Sequence, residues 1–267
     1  TVLGITISPD SKQLFRLNFP QLLTKMENII KIWQHRNLTL YGKVLIVKSL
    51  LLSQLVYKLS ILQSPTYDYY GKVNNIIRNY LWDSKQPRLA YDILQLPLDK
   101  TGLTLPDVEL QADTLKIAWV KRLLQDNYAD LQILAKQSIP QADGYIWMAN
   151  LHEKDIPVIV KRESFWADVL AAWCRYNFKE PVSVSEIFAQ PLWYNSHIRQ
   201  NNKPFFNEEL YFHNIIYIKD IIEADGTMKA LTGLHLPSTS PKTILRFNQL
   251  LASIPQKWKQ VLKNELI

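Results

Sequence analysis

The sequence contains one cysteine, 7 glycines and 14 prolines among its 267 residues. The single cysteine, Cys174, excludes an internal disulfide and a multi-cysteine zinc site, and its helical surroundings favour a half-buried thiol over a nucleophile. Scarce glycine disfavours Rossmann, barrel and P-loop enzymes, whose phosphate loops and tight turns use it. We therefore predict a mainly α fold.

Sequence motifs for catalysis and metal binding are also missing. No two of the five histidines are three or four residues apart, which is the spacing of helical ligand pairs, and no phosphate-loop, dinucleotide-binding or serine-hydrolase pattern occurs. Two-metal polymerases and nucleases need closely placed carboxylates, yet the sequence has no Asp-Asp pair. Tyr128-Ala129-Asp130 approaches a polymerase signature, but Leu131 occupies the place of the second carboxylate. We predict no catalytic residue, no metal ligand and no cofactor in this chain.

Long apolar runs are missing as well. The longest apolar stretch, residues 44 to 62, is interrupted by Lys48, Ser49, Ser53, Gln54 and Lys58. A membrane-spanning helix needs about 20 nearly uninterrupted apolar residues. The first residues also lack the basic flank and apolar core of a signal peptide. We expect no membrane partner and an intracellular location, with nucleus and cytoplasm both open.

Positive charge, in contrast, is concentrated in one half of the chain. Residues 1 to 125 contain 16 Lys and Arg against 9 Asp and Glu, whereas residues 126 to 267 contain 15 of each kind. The whole net charge of +7 therefore belongs to the first half. Such asymmetry indicates either a surface that faces a polyanion or a solvated basic face, and composition alone does not separate the two.

Apolar spacing predicts three helices in the first half. The first starts near Pro20 and continues to residue 34, with apolar residues three and four positions apart. Residues 40 to 62 are apolar on most sides, as in a buried central helix, and residues 67 to 82 repeat the amphipathic spacing. Before these helices, residues 1 to 8 predict a short strand that ends in a turn. We expect the three helices to form a small bundle.

The remaining pattern predicts a second, irregular helical region. Residues 83 to 106 resemble an ordered loop, and helical spacing returns from Val108 to Leu124. Asp143-Gly144 and Asp225-Gly226 are ordinary turn signals. Further helices are predicted near 165–176, 244–254 and 256–263. The predicted division is a helical module at 1–125, a junction at 126–160 and a C-terminal segment at 161–267.

An ordered set of local sequences resembles a known family. The first half contains Leu3-Gly4-Ile5, LTLYGKVLIVKSLLLSQLVYKL at 38–59, NYLWDSKQPR at 79–88 and KTGLTLPD at 100–107. The second half contains FWADVLAAW at 165–173, QPLWYNSHIRQNNKPFF at 190–206 and IPQKWK at 254–259. Together these segments resemble the region downstream of the catalytic palm in reverse transcriptases of non-LTR retrotransposons, the long interspersed element type.

The resemblance implies a structural role for each part. Leu3 and Gly4 resemble the primer grip, the three-helix module resembles the thumb that holds the template-primer duplex, and the remainder resembles a wrist-like segment. The catalytic Asp pair and its Mg ions would belong to a palm upstream of residue 1. The implied partners are RNA or an RNA:DNA hybrid and the palm and fingers of the parent polypeptide. Thr101 stands where the family often has glycine, and a closing cysteine-and-histidine knuckle is missing.

A thumb binds the duplex backbone, a task for lysine and arginine. The candidate phosphate contacts are therefore the basic residues of the three helices and their flanks, namely Lys25, Lys31, Arg36, Lys43, Lys48, Arg78, Lys85 and Arg88. Trp33, Trp82 and Trp119 could in principle stack on bases, but their positions on apolar helix faces favour packing in the core.

Two functions stay open at this point. The first is a non-catalytic part of a retrotransposon reverse transcriptase that grips the template-primer duplex through a basic helical face. The second is a degenerate or co-opted retroelement remnant that acts as a protein-interaction scaffold. A third possibility, an independent helical enzyme, would require a carboxylate or histidine cluster assembled from distant positions.

Overall fold

A computed structural model describes residues 1–125, 129–139, 145–158, 165–223, 226–234 and 240–265. The chain is mainly helical, as the sequence predicts. It divides into two compact units, Thr1–Arg122 with Glu163–Val169, and Leu123–Arg162 with Leu170–Ile267. The turns predicted at Asp143-Gly144 and Asp225-Gly226 involve residues outside the described ranges. Tyr128 also lies outside these ranges.

The first unit is built from helices joined by short turns. Its α-helices are α1 Ser11–Asn18, α2 Pro20–Trp33, α3 Leu40–Ile46, α4 Ser53–Ile61, α5 Tyr67–Trp82, α6 Tyr91–Gln95 and α7 Val108–Leu123, the last residue of which belongs to the second unit. The predicted helices near 20–34, 67–82 and 108–124 are confirmed. The loop predicted at 83–106 contains α6 and a 3-10 turn, Leu98–Lys100.

The helix predicted at 40–62 is interrupted in its middle. Val47–Leu51 forms a π-helix in which the amide of Leu52 donates to the carbonyl of Val47 at 2.9 Å. The segments Leu40–Leu51 and Ser53–Ile61 meet at an angle of 41°. A π turn contains one residue more than an α turn and commonly bends a helix. Periodicity could not reveal the break, because the sequence there is apolar on most sides.

The strand predicted at residues 1 to 8 is reduced to one bridge across a turn. Val2 and Ile5 exchange backbone hydrogen bonds of 2.8 and 2.9 Å, with Leu3 and Gly4 between them at φ of 48° and 78°. The backbone of Thr6 then pairs with the buried side-chain amide of Asn18, whose Oδ1 accepts at 3.0 Å and whose Nδ2 donates at 2.8 Å. This side-chain amide takes the place of a neighbouring strand.

The core of the first unit lies where α2, the bent α3–α4 segment and α5 pack on one another. Phe19, Met26, Val47, Val73 and Ile77 are almost completely buried there. Met26, Val73 and Ile77 come from positions that the three- and four-residue spacing places on one helix face. The predicted bundle of three helices therefore forms, with α1 packed against α2.

The second unit has shorter elements and an aromatic core. Its described elements are α8 Ala129–Ser138, α9 Phe165–Asn177 (from Leu170 on), α10 Val184–Phe188, β1 Arg199–Gln200, β2 Lys203–Pro204, α11 Glu208–Phe212, α12 Pro241–Ser253, α13 Gln256–Glu265 and 3-10 turns at 145–147, 153–158, 218–221 and 231–234. The predicted helices near 165–176, 244–254 and 256–263 are confirmed. Trp193 is fully buried at the centre, and its Nε1 donates to the carbonyl of Ile215 at 2.8 Å.

No single helix among those described is long and apolar enough to cross a membrane. Leu40–Leu51 and Ser53–Ile61 pass that test only as a bent pair, by length and composition. Val44, Leu51 and Leu55 of this pair are buried in the core of the first unit, whereas Leu45 is 54% exposed.

Candidate nucleic-acid interface

The C-terminal end of α5 organises the basic surface of the first unit. Asp83 ends the helix in the left-handed conformation, with φ of 51°, and Ser84 follows at 57°. The Nζ of Lys43 lies beneath this end, 2.5 Å from Oδ1 of Asp83 and 3.3 and 3.4 Å from the carbonyls of Tyr80 and Leu81. Lys43 is buried, so its charge stabilises the helix end and is not presented to a ligand.

One side of this helix end borders a cavity of about 570 Å³ between the C-terminal halves of α2 and α5. Lys31 and His35 lie on its α2 side, and Asp83 and Ser84 on its α5 side. Glu27 adds a carboxylate to the same wall. The cavity is therefore mixed in charge, with Lys31 as its exposed lysine.

A second cavity, of about 240 Å³, also borders this helix end. Lys85 and Arg88, both exposed, line it together with Lys43 and Asp83. Asp83 belongs to both cavities, so the exposed cations surround one helix end. We call Lys31, Lys85 and Arg88 the α5 end cluster.

Arg36 lies just beyond the C-terminus of α2. Its guanidinium is exposed and lies 4.5 Å from the centre of the Trp33 ring. A planar guanidinium on an aromatic face keeps its N–H groups available at its edge for phosphate oxygens. Arg36 follows His35 directly, next to the larger cavity, and can extend the α5 end cluster along the protein surface.

The remaining predicted contacts lie elsewhere in the first unit. Lys48, on the π-helix, donates to Oγ1 of Thr104 at 2.9 Å, and the guanidinium of Arg78 lies 5.1 Å from the ring of Tyr91. Lys25 is exposed on α2 and is close enough to Lys58 to help burial lower the pKa of that lysine. No hydrogen bond or ion pair among the described residues joins these three lysine and arginine side chains to the α5 end cluster.

The Leu3-Gly4 turn presents an apolar side chain to solvent. The Leu3 side chain is 83% exposed. Its backbone has a positive φ, a conformation that costs a non-glycine residue about 1 kcal/mol or more. Its side chain has no place in the core, so local packing does not explain why leucine occupies the position. An exposed apolar residue on a tight turn is suited to contact with a second surface.

Electrostatics at the α5 end favour binding of anions by the exposed cations. A helix C-terminus carries partial negative charge, which would repel a phosphate. Lys43 offsets most of the combined charge of this end and of Asp83, since its ammonium contacts the helix carbonyls and the carboxylate directly. Lys31, Lys85 and Arg88 are then left as a net positive surface for phosphate oxygens.

The tryptophans pack as predicted. Trp33 and Trp82 are partly buried against the core of the first unit. Trp119 donates from Nε1 to the carbonyl of Ser60 at 2.7 Å, and its ring meets Phe165 and Trp166 edge to face. Cys174 is buried, which raises the pKa of its thiol to about 12, in agreement with the predicted structural role.

Within the described ranges, no three His, Cys, Asp or Glu side chains are placed to hold a metal ion. The chain matches no known protein-family model. Sequence reasoning missed the part played by Asp83, which places Lys43 and borders both cavities. The Trp-Asp-Ser order at a predicted helix end was the available signal, because aspartate tolerates the left-handed conformation that ends many helices.

Proposed function

We propose that the first unit binds the phosphate backbone of an RNA-containing duplex, without sequence specificity, through the α5 end cluster. The observation that carries the proposal is the convergence of Lys31, Lys85 and Arg88 around one helix end whose own negative charge is offset by Lys43. Lysine and arginine contacts to phosphate give affinity and position but do not read bases.

The sequence resemblance supports the same role. In that interpretation the chain is a non-catalytic portion of a retrotransposon reverse transcriptase, with the first unit as thumb and the exposed Leu3-Gly4 turn as primer grip. The polymerase chemistry and its Mg ions then belong to palm and fingers domains that are partners of this chain. An intracellular location follows from such a role.

A salt titration tests the proposal. The full chain is titrated into a labelled RNA:DNA hybrid of about 20 base pairs, and the logarithm of the affinity is plotted against that of the salt concentration. Replacing Lys85 and Arg88 together by alanine is expected to weaken binding and to reduce the salt slope by about 2, roughly one for each lost phosphate contact. The loss is expected to be equal for unrelated duplex sequences.

Lys12→Ala combined with Lys72→Ala gives a control with the same loss of net charge. Both lysines are exposed, and Lys72 pairs with Asp68 at 2.9 Å on the far part of α5 from Asp83. If the control weakens binding as much as the cluster variant, net charge and not the cluster explains the affinity. Wild-type binding that is absent or indifferent to salt would also overturn the proposal.

A protein-interaction scaffold is the second candidate, and one observation favours it. Leu89, Ile93, Leu96 and Leu98 are all exposed within ten residues around α6. Clustered exposed apolar side chains are typical of surfaces that another protein covers. Under this hypothesis, Ile93→Ser, which adds no charge, would abolish association with a protein partner and leave binding to the hybrid unchanged.

A further inference from the structure

The second unit contains a cavity of about 390 Å³ beside the β1–β2 hairpin, with α12 forming the opposite wall. Its lining combines two aromatic rings, three side-chain amides and a guanidinium, from Phe205, Phe206, Gln200, Asn207, Gln249 and Arg246. The volume is within the range of small-molecule sites in proteins. Nothing in the proposed duplex grip of the first unit uses this cavity.

The walls of the cavity are held firmly in place. Asn201 and Asn202 form the hairpin turn with φ of 52° and 61°, which asparagine tolerates better than most residues. Arg199 fixes the hairpin from behind by donating to the carbonyls of Ser196 and Asn202 at 2.7 and 2.8 Å and to Oδ2 of Asp155 at 2.5 Å. A site built on such supports is preorganised for a ligand.

Two glutamine amides join the walls and leave hydrogen-bonding capacity toward the cavity. Nε2 of Gln200 donates to Oε1 of Gln249 at 2.7 Å. Within the described structure, the other amide atoms of the pair, Oε1 of Gln200 and Nε2 of Gln249, have no hydrogen-bond partner. The pair therefore offers one acceptor beside one donor, and reversing both amides gives the same combination.

Asn207 supplies a further donor from a buried position. The residue is only 8% exposed, and its Oδ1 accepts from the amide of Leu210 at 3.2 Å. Its Nδ2 has no hydrogen-bond partner in the parts of the chain that the structure describes. The Nδ2 atom itself is accessible to solvent, so a ligand that accepts from it can take the place of water at this donor.

The two phenylalanines provide anchored rings at the cavity. Phe206 stacks on Tyr194 with 5.3 Å between ring centres and 4° between planes, and Phe205 meets Trp193 edge to face at 5.9 Å. Both rings are half-buried, so each keeps part of its surface accessible. A ligand with a flat aromatic face and polar edges fits this combination, since stacking and edge hydrogen bonds are made together.

Charges at the rim of the cavity balance one another. Arg246 lines the cavity, and Lys242 lies one turn before it on α12, both exposed. Two carboxylates oppose them, namely Glu208 at the rim and Glu209, which lies 4.0 Å from Arg246. The polar atoms and the rings, more than net charge, must therefore provide the recognition.

We infer that this cavity binds one unpaired nucleobase of a single-stranded nucleic acid, with the base against Phe205 and its polar edge on the Gln200–Gln249 pair. Glutamine amides and aromatic rings are the groups that proteins use to recognise bases exposed in this way. The site is independent of the duplex grip, because it needs a base that is free of its partner strand.

The test compares two labelled strands of about 12 nucleotides by fluorescence anisotropy with the full chain. One is oligodeoxyadenylate, and the other has the same phosphates with an abasic sugar at every position. The wild type is expected to prefer the strand with bases by roughly tenfold, about the contribution of one stacked base. Equal affinity for the two strands would overturn the inference.

Variants then locate the preference. Phe205→Ala is expected to remove most of it, and Gln249→Ala, at an exposed position that does not threaten folding, to reduce it about threefold. Matched controls are Phe212→Ala, an aromatic residue that is 71% exposed on α11, and Asn248→Ala, the exposed amide next to Gln249. The inference is wrong if Gln249→Ala behaves like Asn248→Ala.

The Lys85→Ala and Arg88→Ala double variant separates this site from the duplex grip. It is expected to lose affinity for the hybrid and to retain the preference for the strand with bases. If the double variant loses that preference as well, the base is bound in the first unit and the cavity of the second unit is not the site.

Discussion

Lys43 and Asp83 are 40 positions apart in the sequence, yet the ammonium of one lies 2.5 Å from the carboxylate of the other. The contact joins the middle of α3 to the end of α5. Because the same ammonium also meets two carbonyls of α5, it acts as a cap for that helix. The pair thereby positions Asp83 between the two cavities that the exposed cations border.

Replacing Lys43 by methionine is expected to lower the free energy of unfolding by roughly 2 to 3 kcal/mol. The substitution removes the three hydrogen bonds that the buried Nζ of Lys43 donates. The two helix carbonyls and the carboxylate of Asp83 then lose this donor and its positive charge. Lys85→Met, at an exposed position, should change stability by less than about 0.5 kcal/mol. Urea denaturation measures both values, and similar effects of the two variants would contradict the assigned roles.

Adjacent residues in the loop before α7 should respond in opposite directions to small changes. A Cβ on Gly102 would lie 1.9 Å from the carbonyl oxygen of Leu96, so Gly102→Ala should destabilise the protein by at least about 2 kcal/mol. Thr101 has φ of 63°, and Thr101→Gly relieves this conformation at some cost in unfolded-state entropy, for a net gain of roughly 0.5 kcal/mol. Thermal melts of both variants provide the measurement; a destabilised Thr101→Gly would show that the threonine side chain has a role of its own.

The stability of the protein should depend on pH through Lys116. This lysine is completely buried, its Nζ donates to the carbonyl of Leu62, and burial lowers its pKa from 10.5 to about 8, although Asp168 and Asp113 oppose the shift. Between those values the unfolded chain binds more protons than the folded chain, so stability rises with pH over that window. The full effect is roughly 3 kcal/mol.

Urea titrations of the wild type and Lys116→Met at several pH values isolate this contribution. The wild type should gain stability relative to the variant as pH rises from about 8 to 10. The comparison matters because burial also raises the pKa of Tyr69 and Tyr70, which lowers the stability of both proteins above about pH 10. Parallel profiles for the two proteins would mean that Lys116 keeps its ordinary pKa when folded.

Cys174 should be unreactive toward thiol reagents in the folded protein. The side chain is buried, and burial raises its pKa to about 12, with Glu153 adding to the shift. The thiolate, which is the reactive form, is therefore scarce at neutral pH. An Ellman assay is expected to detect no thiol in native buffer and one per chain in denaturing urea; rapid native labelling would show that the residue is accessible.

Helix positions were predictable where one face alone is apolar. In α2 and α5, buried residues recur three and four positions apart with solvent-facing residues between them, so periodicity is sufficient. The N-terminal strand was predicted from β-branched residues, but the backbone it needed as a partner is replaced by Asn18, a distant side chain. Local sequence contains no signal for a partner of that kind.

The excess of positive charge in the first half was predictable from the sequence, but the positions of the individual basic side chains in the candidate site were not. Lys43 and Lys85 look alike in the sequence, yet one is buried under a helix end and the other is exposed beside it. The difference depends on Asp83 and on the packing of α3 against α5, which only the fold determines. The cavity of the second unit depends likewise on residues from three separate elements.

The π turn between α3 and α4 sets the direction in which the side chains of α4 face relative to those of α3. Each residue of an α-helix turns the chain by about 100°. If the same residues continued as a regular α-helix, Leu52, Leu55 and Leu59 would face roughly one such step away from the side defined by Val44 and Val47, yet all five are buried in one core. Deleting a single residue from 47–51 would therefore convert the π turn into an α turn and leave the leucines of α4 facing the core, whereas inserting one residue there would rotate α4 by about 100° and expose them.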